Sequence, residues 1–134
     1  MQKFRVGIVG AAGRGRSFFS AFVHNPYTEL AALCDINEEG LQKTAAENGI
    51  AQTYTNYEEM LDKANVDIVV VGTPMQYHAE QAIMALERDK HVLSEVPATV
   101  SLAESRALVA AATRSQGVYM MAENYCYIRA NVLV

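Results

Sequence analysis

A glycine-rich turn near the N-terminus is the first place where this sequence could hold a ligand. Residues 10–15 read Gly-Ala-Ala-Gly-Arg-Gly, between an apolar run typical of a β-strand and a stretch with helical spacing. In such a turn Gly10 permits a tight bend and Gly15 lets the helix pack closely on the sheet, while backbone N–H groups at the helix start can bind a pyrophosphate. Ala12 replaces the middle glycine of the dinucleotide fingerprint, so either its methyl group crowds the phosphate or Gly13 provides the close approach. Taken alone, the turn is equally consistent with an ordinary glycine-rich connection.

An acidic residue at the end of the second apolar run strengthens the case for a dinucleotide. Asp35 lies 20 residues after Gly15, a spacing at which a carboxylate accepts hydrogen bonds from the adenosine ribose. The same negative charge repels a 2′-phosphate, so the sequence favours NAD over NADP. The alternative role for Asp35 is that of an ordinary cap or loop acid.

Apolar and amphipathic segments alternate along the chain, which is typical of parallel strands joined by helices. The predicted strands span residues 4–10, 29–35, 66–73, 91–95 and 118–124, and the predicted helices span residues 14–25, 37–48, 56–63, 76–88 and 101–117. Asn37, Asn56 and Ser101 can cap helix N-termini, and Gly49 favours a left-handed stop. The sequence therefore predicts an α/β, doubly wound Rossmann fold with a mostly parallel sheet and helices on both faces.

The length, charge and residue content of the sequence limit the classes of function that are possible. The 134 residues fit one domain, and a net charge of −4 without a basic run disfavours nucleic acid as a partner. The apolar runs are too short to span a membrane, and we expect no signal peptide because the N-terminal residues already follow a strand pattern. Cys34 and Cys126 lie far apart, which fits a reducing, cytoplasmic location. No His, Cys or Asp cluster has metal-ligand spacing, so we expect no metal.

Six stretches of the sequence resemble the N-terminal half of the Gfo/Idh/MocA oxidoreductases, which include glucose–fructose oxidoreductase and inositol dehydrogenase. They read VGIVGAAGRGR, LCDIN, YEEML, VDIVVVGTPMQYHAEQAIMAL, KHVLSEVP and AENYCY, in the family's order over essentially the whole chain. The family binds NAD(P) in a Rossmann domain and continues into a largely antiparallel α/β domain that contacts substrate. The resemblance implies that residues 1–125 form the NAD(P)-binding domain and that residues 126–134 begin the connection to that second domain.

The resemblance also implies which positions bind the cofactor. The pyrophosphate would be lined by Gly10, Ala12, Gly13, Arg14 and Gly15, and the adenosine ribose would be bound by Asp35. The residues beside the cofactor would be Thr73, Pro74 and His78. Those near the nicotinamide and its ribose would be Glu95, Pro97 and Asn124. For Thr73 and Pro74 the alternative is a simple strand stop, and for His78 it is a cap at a helix start. The family's catalytic His is expected in the second domain.

One departure from the family bears on the chemistry. Val96 stands where the family has the Lys of Glu-Lys-Pro, which positions and polarises the substrate hydroxyl, and valine can donate neither a proton nor a hydrogen bond. We predict an NAD(P)-dependent oxidoreductase that acts on a sugar, polyol or related hydroxy compound by hydride transfer. The alternatives are an NAD-dependent glycoside hydrolase resembling the α-N-acetylgalactosaminidases of the same superfamily, and a non-catalytic NAD-binding sensor. We expect this fragment alone to be inactive and to form homo-oligomers.

Overall fold

The computed structural model describes residues 3–132, which form one six-stranded sheet with helices on both faces. The strands are β1 (Phe4–Val9), β2 (Thr28–Cys34), β3 (Gln52–Tyr54), β4 (Ile68–Val71), β5 (His91–Ser94) and β6 (Tyr119–Met121). Their order is β3-β2-β1-β4-β5-β6, and every neighbouring pair is parallel. The predicted doubly wound Rossmann fold is confirmed. The strand order reverses between β1 and β4, which opens a crevice at the carboxyl edge of the sheet.

Helices and short 3-10 turns connect the strands. The helices are α1 (Phe19–Val23), α2 (Glu38–Asn48), α3 (Tyr57–Lys63), α4 (His78–Leu86), α5 (Leu102–Arg114) and α6 (Arg129–Val132). The predicted caps are confirmed, because the side chains of Asn37, Asn56 and Ser101 each accept a backbone N–H from the first turn of α2, α3 and α5. Gly49 ends α2 with φ at 67°, the left-handed conformation that glycine adopts without strain.

The sheet is buried on both faces, as its continuous apolar strands predict. Along β4, Val69 and Val71 pack into one cluster with residues of α3, α4 and α5, whereas Val70 packs into the other with Leu41 and Phe19 of the opposite layer. Alternate side chains of a strand point to opposite faces, so one apolar run serves both clusters. This three-layer packing fixes the strand ends on which the candidate site depends.

Two local predictions differ from the structure. Strand β3 was not predicted; its three residues pair in parallel with Ala32, Leu33 and Cys34 of β2, and so short a segment carries no periodic signal. The first helix was predicted to span residues 14–25, but residues Arg14–Phe18 form a 3-10 turn and only Phe19–Val23 is α-helical. The N–H groups of Gly13 and Arg16 bond three residues back rather than four, so the glycine turn draws the helix start into the tighter form.

Candidate functional site

Three glycine backbones meet where the turn after β1 packs against the end of β4. Gly10 has φ at +80°, and a Cβ there would strike the Gly72 carbonyl. A Cβ on Gly15 would lie 2.7 Å from the Gly10 oxygen, and one on Gly72 would lie 2.6 Å from the Gly15 Cα. We call Gly10, Gly15 and Gly72 the glycine seam. The seam holds the start of the first helical segment against the carboxyl edge of the sheet.

The turn residues outside the seam border open space. Gly13 and Arg14 are exposed and Ala12 is half-buried, whereas Gly15 is buried. A Cβ on Gly13 would have one neighbour within 4 Å, the Gly10 oxygen at 3.8 Å, so no atom of the chain crowds that position. Ala12, Gly13 and Arg14 line a cavity of about 450 Å³ together with Asp35 and other strand-end residues. Space is therefore left beside the backbone N–H groups of the turn.

The carboxylate of Asp35 connects the turn to the start of α2. One oxygen accepts the Ala12 N–H at 2.8 Å, and the other accepts the Asn37 N–H at 2.9 Å. The half-buried side chain also borders the cavity beside the turn. A carboxylate oxygen can accept more than one hydrogen bond, so Asp35 can position the turn and still accept from a ligand hydroxyl.

A second cavity of about 340 Å³, which we call the β2–β4 cavity, lies between the ends of those strands. Its walls include Ile36, which is 93% exposed, and Tyr77, which is 48% exposed. Val9 and Pro74 add further apolar surface, and Asp35 lies at its border. Apolar walls with few polar groups are typical of a site for a planar organic ring.

Hydrogen bonds within the chain fix the polar groups of the β2–β4 cavity. The Thr73 hydroxyl donates to the side-chain oxygen of Gln81 at 2.6 Å, and the Tyr57 hydroxyl donates to the backbone oxygen of Gln81 at 2.8 Å. Burial and the negative charge of Asp35 raise the pKa of Cys34 to about 12, and burial raises the pKa of Tyr57 as well. Both groups are therefore uncharged at neutral pH, and the cavity contains no reactive thiolate.

A buried carboxylate joins the loop after β5 to the glycine-rich turn. Glu95 is 7% exposed; one of its oxygens accepts from Arg14 Nε at 2.5 Å, and the other accepts the Val96 N–H at 3.1 Å. Val96 is half-buried, and it precedes Pro97 through a cis peptide bond. The loop therefore presents an ion pair to the turn and an aliphatic side chain at the position of the family's Lys.

The structure separates the remaining predicted positions from the two cavities. His78 is 1% exposed, and its two ring nitrogens face the backbone oxygens of Thr73 and Pro97. Asn124 is exposed in the loop after β6, ahead of the 3-10 turn Tyr125–Tyr127. The predicted positions that come together around the cavities are Gly10, Ala12, Gly13, Arg14, Asp35, Thr73 and Pro74. Glu95 contacts this group through Arg14. His78, Pro97 and Asn124 lie elsewhere.

The residues of this region that sequence reasoning missed include Ile36, Gly72, Tyr77 and Gln81. Ile36 carries a usable signal, because an apolar side chain directly after a strand-ending acid has no core to enter. Gly72 precedes the predicted Thr-Pro stop, but its contact with Gly15 joins distant parts of the chain. Within residues 3–132, no group of three His, Cys, Asp or Glu could hold a metal, and no helix is long and apolar enough to cross a membrane.

The sequence profile of a known family covers nearly all of the chain. The Gfo/Idh/MocA profile, described as an oxidoreductase family with an NAD-binding Rossmann fold, matches residues 4–123. This chain belongs to the Gfo/Idh/MocA oxidoreductase family. The predicted family and its NAD-binding Rossmann fold are confirmed by this match.

Among the similar proteins are two from Shewanella. A glycosyl hydrolase family 109 protein of Shewanella woodyi is 36% identical over 97% of this chain and 30% of the relative. An α-N-acetylgalactosaminidase of Shewanella oneidensis is 34% identical over 100% of this chain and 31% of the relative. The chain thus spans about a third of the length of these relatives.

A solved structure shares the fold closely. The WlbA dehydrogenase of Bordetella pertussis, crystallised with NADH and UDP-GlcNAcA, superimposes with a TM-score of 0.91 at 28% identity. The superposition covers 98% of this chain and 40% of the dehydrogenase.

Proposed function

We propose that this chain is the NAD-binding part of an enzyme that removes a hydride from a hydroxyl-bearing carbon of a sugar or polyol. The observation that carries this proposal is the arrangement of Asp35 and the glycine-rich turn around two adjoining cavities. The WlbA dehydrogenase, crystallised with a dinucleotide and a nucleotide sugar, supports the same class of substrate. NAD, when bound, supplies the hydride acceptor.

The residues present fit the parts of a dinucleotide. Ile36 and Tyr77 would hold the adenine ring in the β2–β4 cavity, and Asp35 would accept from its ribose. The backbone N–H groups of Gly13 and Arg14 would bind the pyrophosphate, since the open space at Gly13 leaves room for it. The predicted roles of Glu95, Pro97 and Asn124 beside the nicotinamide half remain predictions.

We propose NAD rather than NADP as the preferred cofactor. Asp35 borders the proposed ribose position, and Glu38 and Glu39 follow in the first turn of α2. Three negative charges in one region oppose a 2′-phosphate. Calorimetric titration should give an affinity for NAD at least about tenfold higher than for NADP, and a preference for NADP would contradict the proposal.

A second candidate is a glycoside hydrolase that returns the hydride to the sugar after the glycosidic bond is broken. Val96 favours it, because a valine at the position of the family's Lys has no donor to polarise a substrate hydroxyl. The relatives named as glycosyl hydrolase family 109 proteins and as an α-N-acetylgalactosaminidase favour it too. The two candidates share hydride removal from a sugar and differ in whether NADH accumulates.

The deciding experiment uses the full-length protein with NAD and two substrate panels. Polyols and free sugars that yield stoichiometric NADH would establish a dehydrogenase. Release of the aryl alcohol from an aryl α-N-acetylgalactosaminide, without net NADH, would establish the hydrolase. NAD binding with neither activity would favour a sensor, and failure to bind NAD would overturn all three.

The organisation of the whole protein is also a proposal. Residues 1–125 would be the cofactor domain, and residues 126–134, of which 133 and 134 lie outside the described residues, would begin the connection to a substrate domain. We propose that the 134-residue fragment binds NAD without turnover, that the protein forms homo-oligomers and that it is cytoplasmic. Ultracentrifugation that finds only monomers at high concentration would contradict the oligomer.

A further inference from the structure

His78 connects two loops at the carboxyl edge of the sheet. It is the first residue of α4, and its ring is 1% exposed. Its Nε2 lies 2.7 Å from the backbone oxygen of Thr73, directly beyond β4, and its Nδ1 lies 2.7 Å from the backbone oxygen of Pro97, in the loop after β5. One side chain therefore bridges the rim of the β2–β4 cavity and the loop that carries Glu95.

The two contacts hold the ring between the two loops. A carbonyl oxygen can only accept, so a neutral imidazole donates its one N–H to Thr73 or to Pro97 and lies in close contact with the other oxygen. Both ring nitrogens therefore face the protein's own backbone.

A small set of hydrogen bonds holds the loop after β5. Within the described residues 3–132, the side chains of Arg14, Ser94 and His78 bond to segment 95–98, and the Glu95 N–H donates to the Val71 oxygen at the end of β4. The Arg14 side chain is 55% exposed, so solvent competes for its bond. His78 is 1% exposed and adds a contact at Pro97, two residues beyond Glu95, that connects the loop to the segment after β4.

We propose that His78 is a positioning residue that sets the separation between the loop after β4 and the loop after β5 without touching the cofactor. Where a cofactor is concerned, this rests on the proposed function, in which those loops border the adenosine and nicotinamide halves of NAD. The family resemblance implied that His78 lies beside the cofactor, whereas in the structure both ring nitrogens lie 2.7 Å from backbone oxygens of the chain itself.

The variant His78→Phe tests the bridge, because phenylalanine fills a similar space and donates no hydrogen bond. The matched control is His24→Phe, since His24 is exposed and bonds only to Ser20 in its own segment. In the full-length protein, His78→Phe should weaken binding of NAD about tenfold and binding of ADP by less than about twofold, because ADP lacks the half that meets the loop after β5. The control should change neither affinity.

Hydrogen–deuterium exchange measures how well the backbone of the two loops is protected when no ligand is bound. Exchange in peptides covering residues 72–76 and 94–100 should be faster in His78→Phe than in the parent protein, with α2 unchanged. Equal weakening of ADP and NAD, or unchanged exchange in both loops, would overturn the positioning role. A parent protein that binds neither nucleotide would overturn the proposed function, and faster loop exchange would still support the bridge.

A measurement on the unaltered protein covers the case in which His78→Phe does not fold. Nuclear magnetic resonance of the histidine rings should show a slowly exchanging ring N–H for His78, because the ring is buried and lies within hydrogen-bond distance of two backbone oxygens. A His78 N–H that exchanges with water as fast as that of His24 would overturn the bridge. His24, which is exposed, provides the internal reference for a ring whose protons exchange with water.

Discussion

The two halves of the sheet's carboxyl edge differ in how completely they are enclosed by this chain. Around β1, β2 and β4, the polar groups of Asp35 and Gln81 are held by internal hydrogen bonds, and two cavities adjoin them. Beyond β5, the edge strand β6 and the turn after it leave Met120 60%, Tyr125 66% and Tyr127 80% exposed. We call the first half, where internal contacts already shape the candidate site, the preformed half. The second half is an apolar surface of the kind that other protein surfaces cover.

A substitution in the glycine seam should have the largest effect on stability, because the seam lies beneath the preformed half. Gly15→Ala would place a methyl group 2.7 Å from the Gly10 oxygen and 2.8 Å from Ile8 Cγ2. We expect the free energy of unfolding to fall by about 3 kcal/mol, measured by urea denaturation. Gly13→Ala is the control, and it should lower stability by less than Gly15→Ala, because a Cβ there has no neighbour closer than 3.8 Å. Similar losses in both variants would show that the seam does not set the packing.

Removal of the Asp35 carboxylate should be the next most damaging change. Asp35→Ala leaves the Ala12 and Asn37 N–H groups without their acceptor, and we expect NAD affinity to fall by about 2 kcal/mol. Asp67→Ala is the matched control, since Asp67 also accepts a backbone N–H, from Arg5, but lies before β4 at the opposite end of the sheet. It should lower stability and leave NAD affinity unchanged; an equal loss of NAD affinity would remove the special role of Asp35.

Loss of the ion pair between Arg14 and Glu95, which joins the two halves, should have a smaller effect than the changes at Gly15 and Asp35. Glu95→Gln keeps an oxygen for the Val96 N–H but removes the negative charge beside Arg14. Because Arg14 is half exposed, we expect the free energy of unfolding to fall by about 1 kcal/mol. Glu47→Gln, whose pair with Arg16 is exposed on both sides, should have almost no effect, and a larger loss for Glu47→Gln would contradict this ranking.

The two cysteines allow the two halves to be compared without any substitution, because one lies in each half. Cys34 is 2% exposed in the preformed half, whereas Cys126 is exposed beyond β6. Alkylation in mildly alkaline solution, followed by mass spectrometry, should modify Cys126 and leave Cys34 intact until the protein is unfolded. Burial raises the pKa of Cys34 from 9.0 to about 12, so the unfolded state loses its proton first. Stability should therefore fall as the pH rises above 9.0.

Local signals made much of the fold predictable. The caps at Asn37, Asn56 and Ser101 act within one helical turn, so residue type and spacing were sufficient to place them. Five of the strands are apolar runs, which identify them although the structure shortens most of their predicted bounds. Strand β3 depends on its neighbour β2 for its existence, so no window of the sequence around it carries the information.

The site was predictable where chemistry follows from residue type and not where it follows from packing. Asp35 was identified because it ends the second predicted strand 20 residues after Gly15, a spacing typical of a carboxylate that binds a ribose. The close approach of Gly72 to Gly15 and the burial of the His78 ring arise only when distant segments meet. The same imidazole can cap a helix, contact a ligand or bridge two loops, and its spacing in the sequence is identical in all three cases.

The contact between Arg14 and Glu95 has a consequence for ionic strength. A dinucleotide that approaches the turn would meet short-range backbone donors and a guanidinium whose charge is already balanced by a carboxylate. Mobile ions screen long-range attraction between net charges and have little influence on hydrogen bonds made at contact. Cofactor affinity should therefore change little between dilute buffer and concentrated potassium chloride, unlike that of sites that attract phosphate with unpaired lysines.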